Sequence, residues 1–302
     1  MSAKNFTVVG LGEILWDLLP GGKQLGGAPA NFAYMTSLLG DRGIVASRIG
    51  EDSLGREVLS RLANLSLSPE YVQLDRVHPT GTVEVQVDSA GQARYQFTAN
   101  VAWDFLEWTP SWQRLARKAD AVCFGSLAQR SPHARQTILA FLKATRPDAV
   151  RIFDVNLRQN FYSREILAES FQAASVAKLN HEELPRVMHL MGLSYDGDVT
   201  SAARLRDSQR LRLICITRGD NGCVLADESR THAHPGFPVR VVDTIGSGDA
   251  FTAALVHHYL REASLEEMNE AANRLGAWVA TNAGATPVPG PHGLEHALAS
   301  LE

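Results

Sequence analysis

The stretch 241–260, VVDTIGSGDAFTAALVHHYL, changes character twice. A β-branched run stops at Asp243-Thr244, a helix of small and apolar residues begins near Asp249, and Gly246-Ser247-Gly248 lies between them. Glycines ahead of a helix let successive backbone N–H groups converge on one point, and the helix dipole adds partial positive charge there. Such a loop holds a phosphate or a developing negative charge. A carboxylate at Asp249 would repel a merely bound phosphate. It fits better as a general base that takes a proton from a hydroxyl while the amides of Gly246, Ser247 and Gly248 stabilise a transferring phosphoryl group. The alternative reading makes Asp249 only the N-cap of its helix.

Working outward, short apolar runs at 6–10, 121–125, 150–154 and 211–217 have the look of buried parallel strands, and stretches with helical spacing at 30–39, 132–145 and 250–260 lie between them. That alternation predicts an α/β fold, a three-layer sandwich with a central, mostly parallel sheet and helices on both faces. Residues 81–88, GTVEVQVD, break the rhythm by alternating apolar and polar; Ser89-Ala90-Gly91-Gln92 supplies a turn and 93–98 alternates again. This is a hairpin with one wet face, read as a lid over a cleft or against a second subunit.

The 302 residues contain 45% apolar and 21% charged side chains, which excludes disordered and fibrous classes. Lys plus Arg number 29 against 33 Asp plus Glu, a net charge of −4 without the basic footprint of a nucleic-acid binder. Cys123, Cys215 and Cys223 make no C-x-x-C, and residues 1–12 lack a signal-peptide pattern, so a cytoplasmic protein without a membrane span is expected. Gly10-x-Gly12 is no dinucleotide fingerprint, because Leu15 stands where the third glycine belongs. His257-His258 and His232-x-His234 lack partners at metal-binding spacing and read as surface or helix histidines. Trp103 and Trp108, in AWDFLEW, are read as a cover over the cleft, with Trp103 leaning toward a pocket wall.

DTIGSGD resembles the D-T-x-G-A-G-D signature of the ribokinase-like (PfkB-type) sugar kinases, Ser247 replacing the commoner alanine without loss of backbone donors. That family also carries a Gly-Gly pair near its N-terminus, and here Gly26-Gly27-Ala28-Pro29-Ala30-Asn31 leads into a helix. The resemblance covers nearly the whole chain and implies one kinase domain over 1–302, with a small β lid from about 13–20 and 78–104. It implies transfer of the ATP γ-phosphate to a sugar hydroxyl, with Asp249 as base. On the acceptor side it implies that Asp17 accepts from sugar hydroxyls, that Gly27 allows close approach, that Asn31 both donates and accepts, and that Asn100 and Asp249 complete the set. For the phosphates, FDVNLR at 153–158 places Arg158 at a strand end. KLNHEE at 178–183 is similar to the family's N-x-x-E, in which Asn180 and Glu183 organise Mg²⁺ through water. TRGDNG at 217–222 resembles T-x-G-x-x-G, whose Thr217, Gly219 and Gly222 run along the nucleotide, and Asn273 borders the adenine, the alternative reading making Asn273 and Asn282 ordinary helix-surface residues. Backbone carbonyls near Asp243, Ile245, Val279, Asn282 and Gly284 would cage a potassium ion. Gly-Gly-Ala-Pro-Ala-Asn is similar to the fructokinase subgroup rather than to the ribokinase form, which has Lys-Gly for Ala-Pro. D-Fructose, giving fructose 6-phosphate, is therefore the first acceptor. A 2-keto-3-deoxygluconate, ribose or aminoimidazole riboside kinase, or a non-catalytic sugar-binding regulator, are the alternatives, and a homodimer through the lid is expected.

Overall fold

The computed structural model describes residues 4–19, 21–87 and 93–301, the side chains of 85–95 excepted. In chain order the elements are β1 (Thr7–Leu11), β2 (Leu15–Leu19), β3 (Gly22–Gly26), α1 (Ala28–Leu38), β4 (Arg42–Gly50), α2 (Ser53–Asn64), β5 (Val72–Asp75), β6 (Gly81–Val87) and β7 (Ala93–Phe97). There follow α3 (Pro110–Lys118), β8 (Ala121–Phe124), α4 (Pro132–Ala144), β9 (Val150–Asp154), α5 (Arg164–Ala173), β10 (Val176–Asn180), α6 (Glu183–Leu190) and α7 (Gly197–Gln209). The chain continues through β11 (Leu213–Thr217), β12 (Cys223–Asp227), β13 (Thr231–His234), α8 (Ser247–Tyr259), α9 (Leu265–Ala280) and α10 (Gly293–Ala299).

Nine strands form one sheet in the order β13-β12-β11-β10-β9-β8-β1-β4-β5, antiparallel only at β11–β12 and β12–β13. Alternation along the strands builds the two faces. Val8 and Cys123 point into a core shared with α1, α2, α8 and α9, whereas Val9, Val122 and Phe124 point into a second core shared with α3 to α7. The expected three-layer α/β architecture is therefore present. From β1 the chain builds outward through β4 and β5, then returns to place β8 on the other side of β1. That reversal opens a crevice at the carboxyl ends of β1 and β8, where ligands bind in sheets of this kind.

The second sheet has the order β3-β2-β6-β7. Its hairpin β6–β7 pairs antiparallel from Val83↔Phe97 to Val87↔Ala93, while the turn read at 89–92 lies outside the described residues. Two features differ from the sequence reading. β3, within GKQLGG, pairs with β2 and belongs to the small sheet, although it lies outside the lid bounds of about 13–20 and 78–104. Residues 102–105 instead form a 3₁₀ turn in the body, where Trp103 is 1% exposed. Trp103 is thus core, not pocket wall. Arg130 lies over its ring at 3.9 Å, clasps Asp104 with two 2.8 Å bonds and donates to the Thr98 carbonyl at 2.6 Å, tying the end of β7 to the body. Trp108 packs edge-on against Phe141. Among the described residues no helix is long and apolar enough to cross a membrane.

Candidate active site

The run Val241-Val242 forms no strand. Both valines are exposed, and the amides of Val242 and Asp243 bond the Ala280 carbonyl at the end of α9. Asp243 accepts from the amides of Ile245 (2.9 Å) and Gly284 (3.0 Å), so one carboxylate fixes the loop ahead of α8 against the segment after α9. The loop then turns at Gly246, the N-cap of α8, with φ 79°. A Cβ there would sit 2.5 Å from the Cβ of Ala285, so both the backbone angle and the space demand glycine. No side chain caps α8. The Ser247 amide turns back to the Thr244 carbonyl at 3.2 Å, and the first-turn amides of Gly248 and Asp249 carry the positive end of the helix dipole.

Asp249 is the third residue of α8 and makes no capping bond. The N-cap reading is thereby corrected, since Gly246 occupies that position. The Asp249 side chain instead accepts from Asn31 Nδ2 at 2.8 Å, a contact between residues 218 apart. Asn31 is 4% exposed in the first turn of α1, where Gly27 is the N-cap with φ 106°. A cleft beside Asp249 is lined by Ala28, Pro29, Phe32, Cys123, Gly125 and Asp154, among others. Burial, reinforced by the charge of Asp154, pushes Asp249 up to about 6, against the opposing pull of Asn31, Lys178 and Arg158. A carboxylate tuned toward neutrality is suited to take up a proton near physiological pH.

The sequence profile of pfkB family carbohydrate kinases matches residues 21–291. The chain belongs to that family. It is 32% identical over 258 residues to the fructokinase of Klebsiella pneumoniae, covering 82% of each chain. The structure of an uncharacterized sugar kinase, PH1459, from Pyrococcus horikoshii in complex with ATP superposes with TM-score 0.77 at 26% identity, covering 92% of this chain and 94% of that one. Aminoimidazole riboside kinase from Salmonella enterica shares the fold at TM-score 0.81 and 23% identity, covering 97% and 100%. The chain is therefore a phosphotransferase with an alcohol acceptor, and the relatives include ATP-bound kinases.

In this pfkB kinase the other expected site residues fall into two groups. Asp17 lies on β2; burial pushes it up to about 6, with Arg158 pulling it down. Arg158 is exposed on the loop after β9, yet its charge acts on Asp17, Asp249 and Glu13 together. Asn156 lines the cleft with φ 43°. Asn180 closes β10, and Glu183 accepts from the amides of Asn180 (2.8 Å) and Leu157 (2.7 Å). One carboxylate so ties the ends of β9 and β10 together. Thr217, Gly219 and Gly222 form the turn from β11 to β12, beside Asn180 in the sheet register. Asn273 is not on the helix surface: it is 8% exposed, and its amide donates to Asn269. Asn282 donates to the Trp278 carbonyl, and the Val279 carbonyl already accepts from the Asn282 amide. Asn100 is exposed in the bend after β7.

Three charged residues went unread in the sequence. Lys178 on β10 lies directly beside Asp154 on β9, with Nζ 3.1 Å and 3.3 Å from its two carboxylate oxygens. Burial opposes the ammonium charge, but Asp154, Glu183 and Asp249 around it raise the Lys178 pKa. A Cβ on Gly248 would lie 3.0 Å from the same Nζ, so the lysine sits immediately under the anion-binding turn. Glu13, between β1 and β2, is buried and pushed up to about 7 by that burial, with Asp249 adding repulsion.

Glu13, Asp17 and Asp249 all have folded pKa values above the ordinary carboxylate range. The folded state consequently holds more protons than the unfolded one between about pH 4 and 7, and stability falls as pH rises through that window. The ligand-free melting temperature should decline from pH 5 to pH 8, and Glu13→Gln/Asp17→Asn/Asp249→Asn should flatten the decline. An unchanged slope in the triple variant would contradict these assignments.

Proposed function

We propose that this kinase transfers the γ-phosphoryl group of ATP to the primary hydroxyl of a sugar, D-fructose first, giving fructose 6-phosphate. The observation that carries the reading is the 2.8 Å bond from Asn31 to Asp249, which brings the acceptor-side turn of α1 onto the base at the start of α8, where no side chain occupies the helix amides. Asn31, Asp17 and the open backbone at Gly27 would bind sugar hydroxyls on one side of Asp249. The amides at 246–249 would receive the γ-phosphoryl group on the other, with Arg158 near the phosphates and Asn180, Thr217, Gly219, Gly222 and Asn273 along the nucleotide.

In the reaction Asp249 takes the proton of the acceptor hydroxyl as its oxygen bonds to the γ-phosphorus. The bond from that phosphorus to the β–γ bridging oxygen breaks, and ADP leaves with the electron pair. The helix N-terminus offsets charge on the three equatorial oxygens. Among the described residues no cluster of three or more His, Cys, Asp or Glu could itself hold a metal ion. Mg²⁺ would come with the triphosphate and offset its charge, and Asn180 and Glu183 are the residues that would hold it through water. The Asp243 bridge packs the loop 243–245 against 279–284, which suits potassium held by backbone carbonyls beside the anion-binding turn. The small sheet would close over the acceptor and exclude water, and it offers the face for a homodimer. A cytoplasmic setting suits the three free, buried cysteines.

The fructose assignment is supported by Gly-Gly-Ala-Pro-Ala-Asn and by the fructokinase relative. Its test is a coupled ATP-consumption assay across D-fructose, ribose, 2-keto-3-deoxygluconate and nucleosides. Fructose should exceed the next acceptor in kcat/KM by about tenfold or more, the scale on which a shaped pocket discriminates. A nucleoside or sugar acid turned over better than fructose would overturn the acceptor, and no turnover with any of them would favour a sugar-binding regulator.

A further inference from the structure

Glu13 takes no part in the phosphoryl-transfer chemistry above, yet the fold buries it beside Asp249. It follows β1 at the point where the strand order reverses, is 4% exposed, and its Oε2 has no hydrogen-bond partner among the described residues. Gly27 passes so close that a Cβ there would lie 2.6 Å from the Glu13 carbonyl oxygen, which places Glu13 against the turn that admits the acceptor. The Glu13 amide itself and, more weakly, the Ala28 amide at the start of α1 donate to its carboxyl group. Facing it are Asp249 on α8, Arg158 from the loop after β9 and the Cys123 thiol on β8. Asp17 on β2 shares Arg158 with it. A buried carboxyl oxygen without a donor is costly unless a proton or a ligand completes it.

We propose that Glu13 works as a neutral carboxylic acid whose Oε2 binds and orients an acceptor hydroxyl next to the one that Asp249 deprotonates. This rests on the reading of Asp249 as the base. A neutral acid can both donate and accept, which matches a hydroxyl, whereas a second negative charge beside Asp249 is resisted by burial and repulsion. Burial raises both carboxyls, and only Asp249 has the Asn31 side chain donating to it at 2.8 Å and Lys178 nearby to favour its charged form. The two carboxyls then divide into acid and base by environment. If Glu13 served only to sit at the N-terminus of α1, its loss would change stability and leave the pH dependence of acceptor binding untouched.

The test compares the parent enzyme, Glu13→Gln and Glu13→Leu between pH 5.5 and 9, using D-fructose, ribose, 2-keto-3-deoxygluconate and a riboside as probes. In the parent the acceptor KM should rise above pH 7, approaching about tenfold per pH unit as one group ionises, while the KM for ATP stays level. Glu13→Gln keeps a neutral donor and acceptor and should abolish that rise. Glu13→Leu should raise the acceptor KM by about 10- to 100-fold at every pH, the scale of an unmade buried hydrogen bond, with the KM for ATP unchanged. Carbon-13 spectra of glutamate carboxyls, assigned by difference from Glu13→Gln, give a readout independent of turnover. The Glu13 resonance should titrate near 7 and move upward when the acceptor is bound. A resonance titrating near 4, or a Glu13→Gln enzyme that keeps the parent's alkaline rise, overturns the proposal. If Asp249→Asn stays active, the reading of the base fails; if Asp249→Asn is inactive and the Glu13→Gln profile is unchanged, only the role of Glu13 fails.

Discussion

Lys178→Met is expected to destabilise the protein by about 3–5 kcal/mol, the cost of leaving one member of a buried ion pair without its partner. The pair is 10% and 7% exposed at its side chains, so solvent does little to screen it. Thr252 Oγ1 lies 2.9 Å from both Asp154 Oδ2 and the Gly248 carbonyl, which links the pair to the anion-binding turn. Without the lysine, the Asp154 charge stands in the interior next to Asp249 and raises the proton affinity of the base further. The melting temperature should fall by roughly 10 °C, given about 2–4 °C per kcal/mol in domains of somewhat smaller size, and the acidic limb of the pH–rate profile should move to higher pH. Lys178→Met/Asp154→Leu should recover most of the stability, since an apolar pair is tolerated where a lone charge is not. It should not recover turnover, because the anion-binding turn then loses the positive charge beneath it and Thr252 loses its acceptor on Asp154. A single variant melting within about 2 °C of the parent, less than one kcal/mol on that scale, would contradict this role.

How much of this was legible follows from the kind of signal each residue leaves. Gly246, Gly248 and Asp249 are consecutive, and a glycine turn entering a helix announces an anion site by local geometry alone. Asn31 could be joined to Asp249 only through the resemblance of two distant motifs, since nothing local to α1 says what its first turn will face. The sheet was readable because its strands are buried on both faces and carry continuous apolar runs. β3 was not, because its polar, glycine-bounded sequence becomes a strand only through pairing with β2. Lys178 and Asp154 lie in stretches quoted for other residues, and their meaning depends on the β9–β10 register that sets them side by side. A usable signal existed: a lysine inside VAKLN, a strand otherwise apolar, must find an acid. Glu13 left no such sign, because a charged residue just after a strand ordinarily reads as solvated loop.

The central claim is that Asp249 removes the acceptor proton, and the most direct measurement is single-turnover transfer of the γ-phosphoryl group to D-fructose by the parent and by Asp249→Asn, with both substrates saturating. The amide can still accept from Asn31 Nδ2, and Gly246 rather than Asp249 caps α8, so the variant should fold and bind ATP and sugar. Removing a buried carboxylate raised from its ordinary value to about 6 should leave it about as stable as the parent below pH 4 and progressively more stable as the pH rises to 8. Transfer should slow by about 10² to 10⁴, the effect of losing a general base. A variant that retains more than about a tenth of the parent's transfer rate, well short of that effect, would show that Asp249 is not the base.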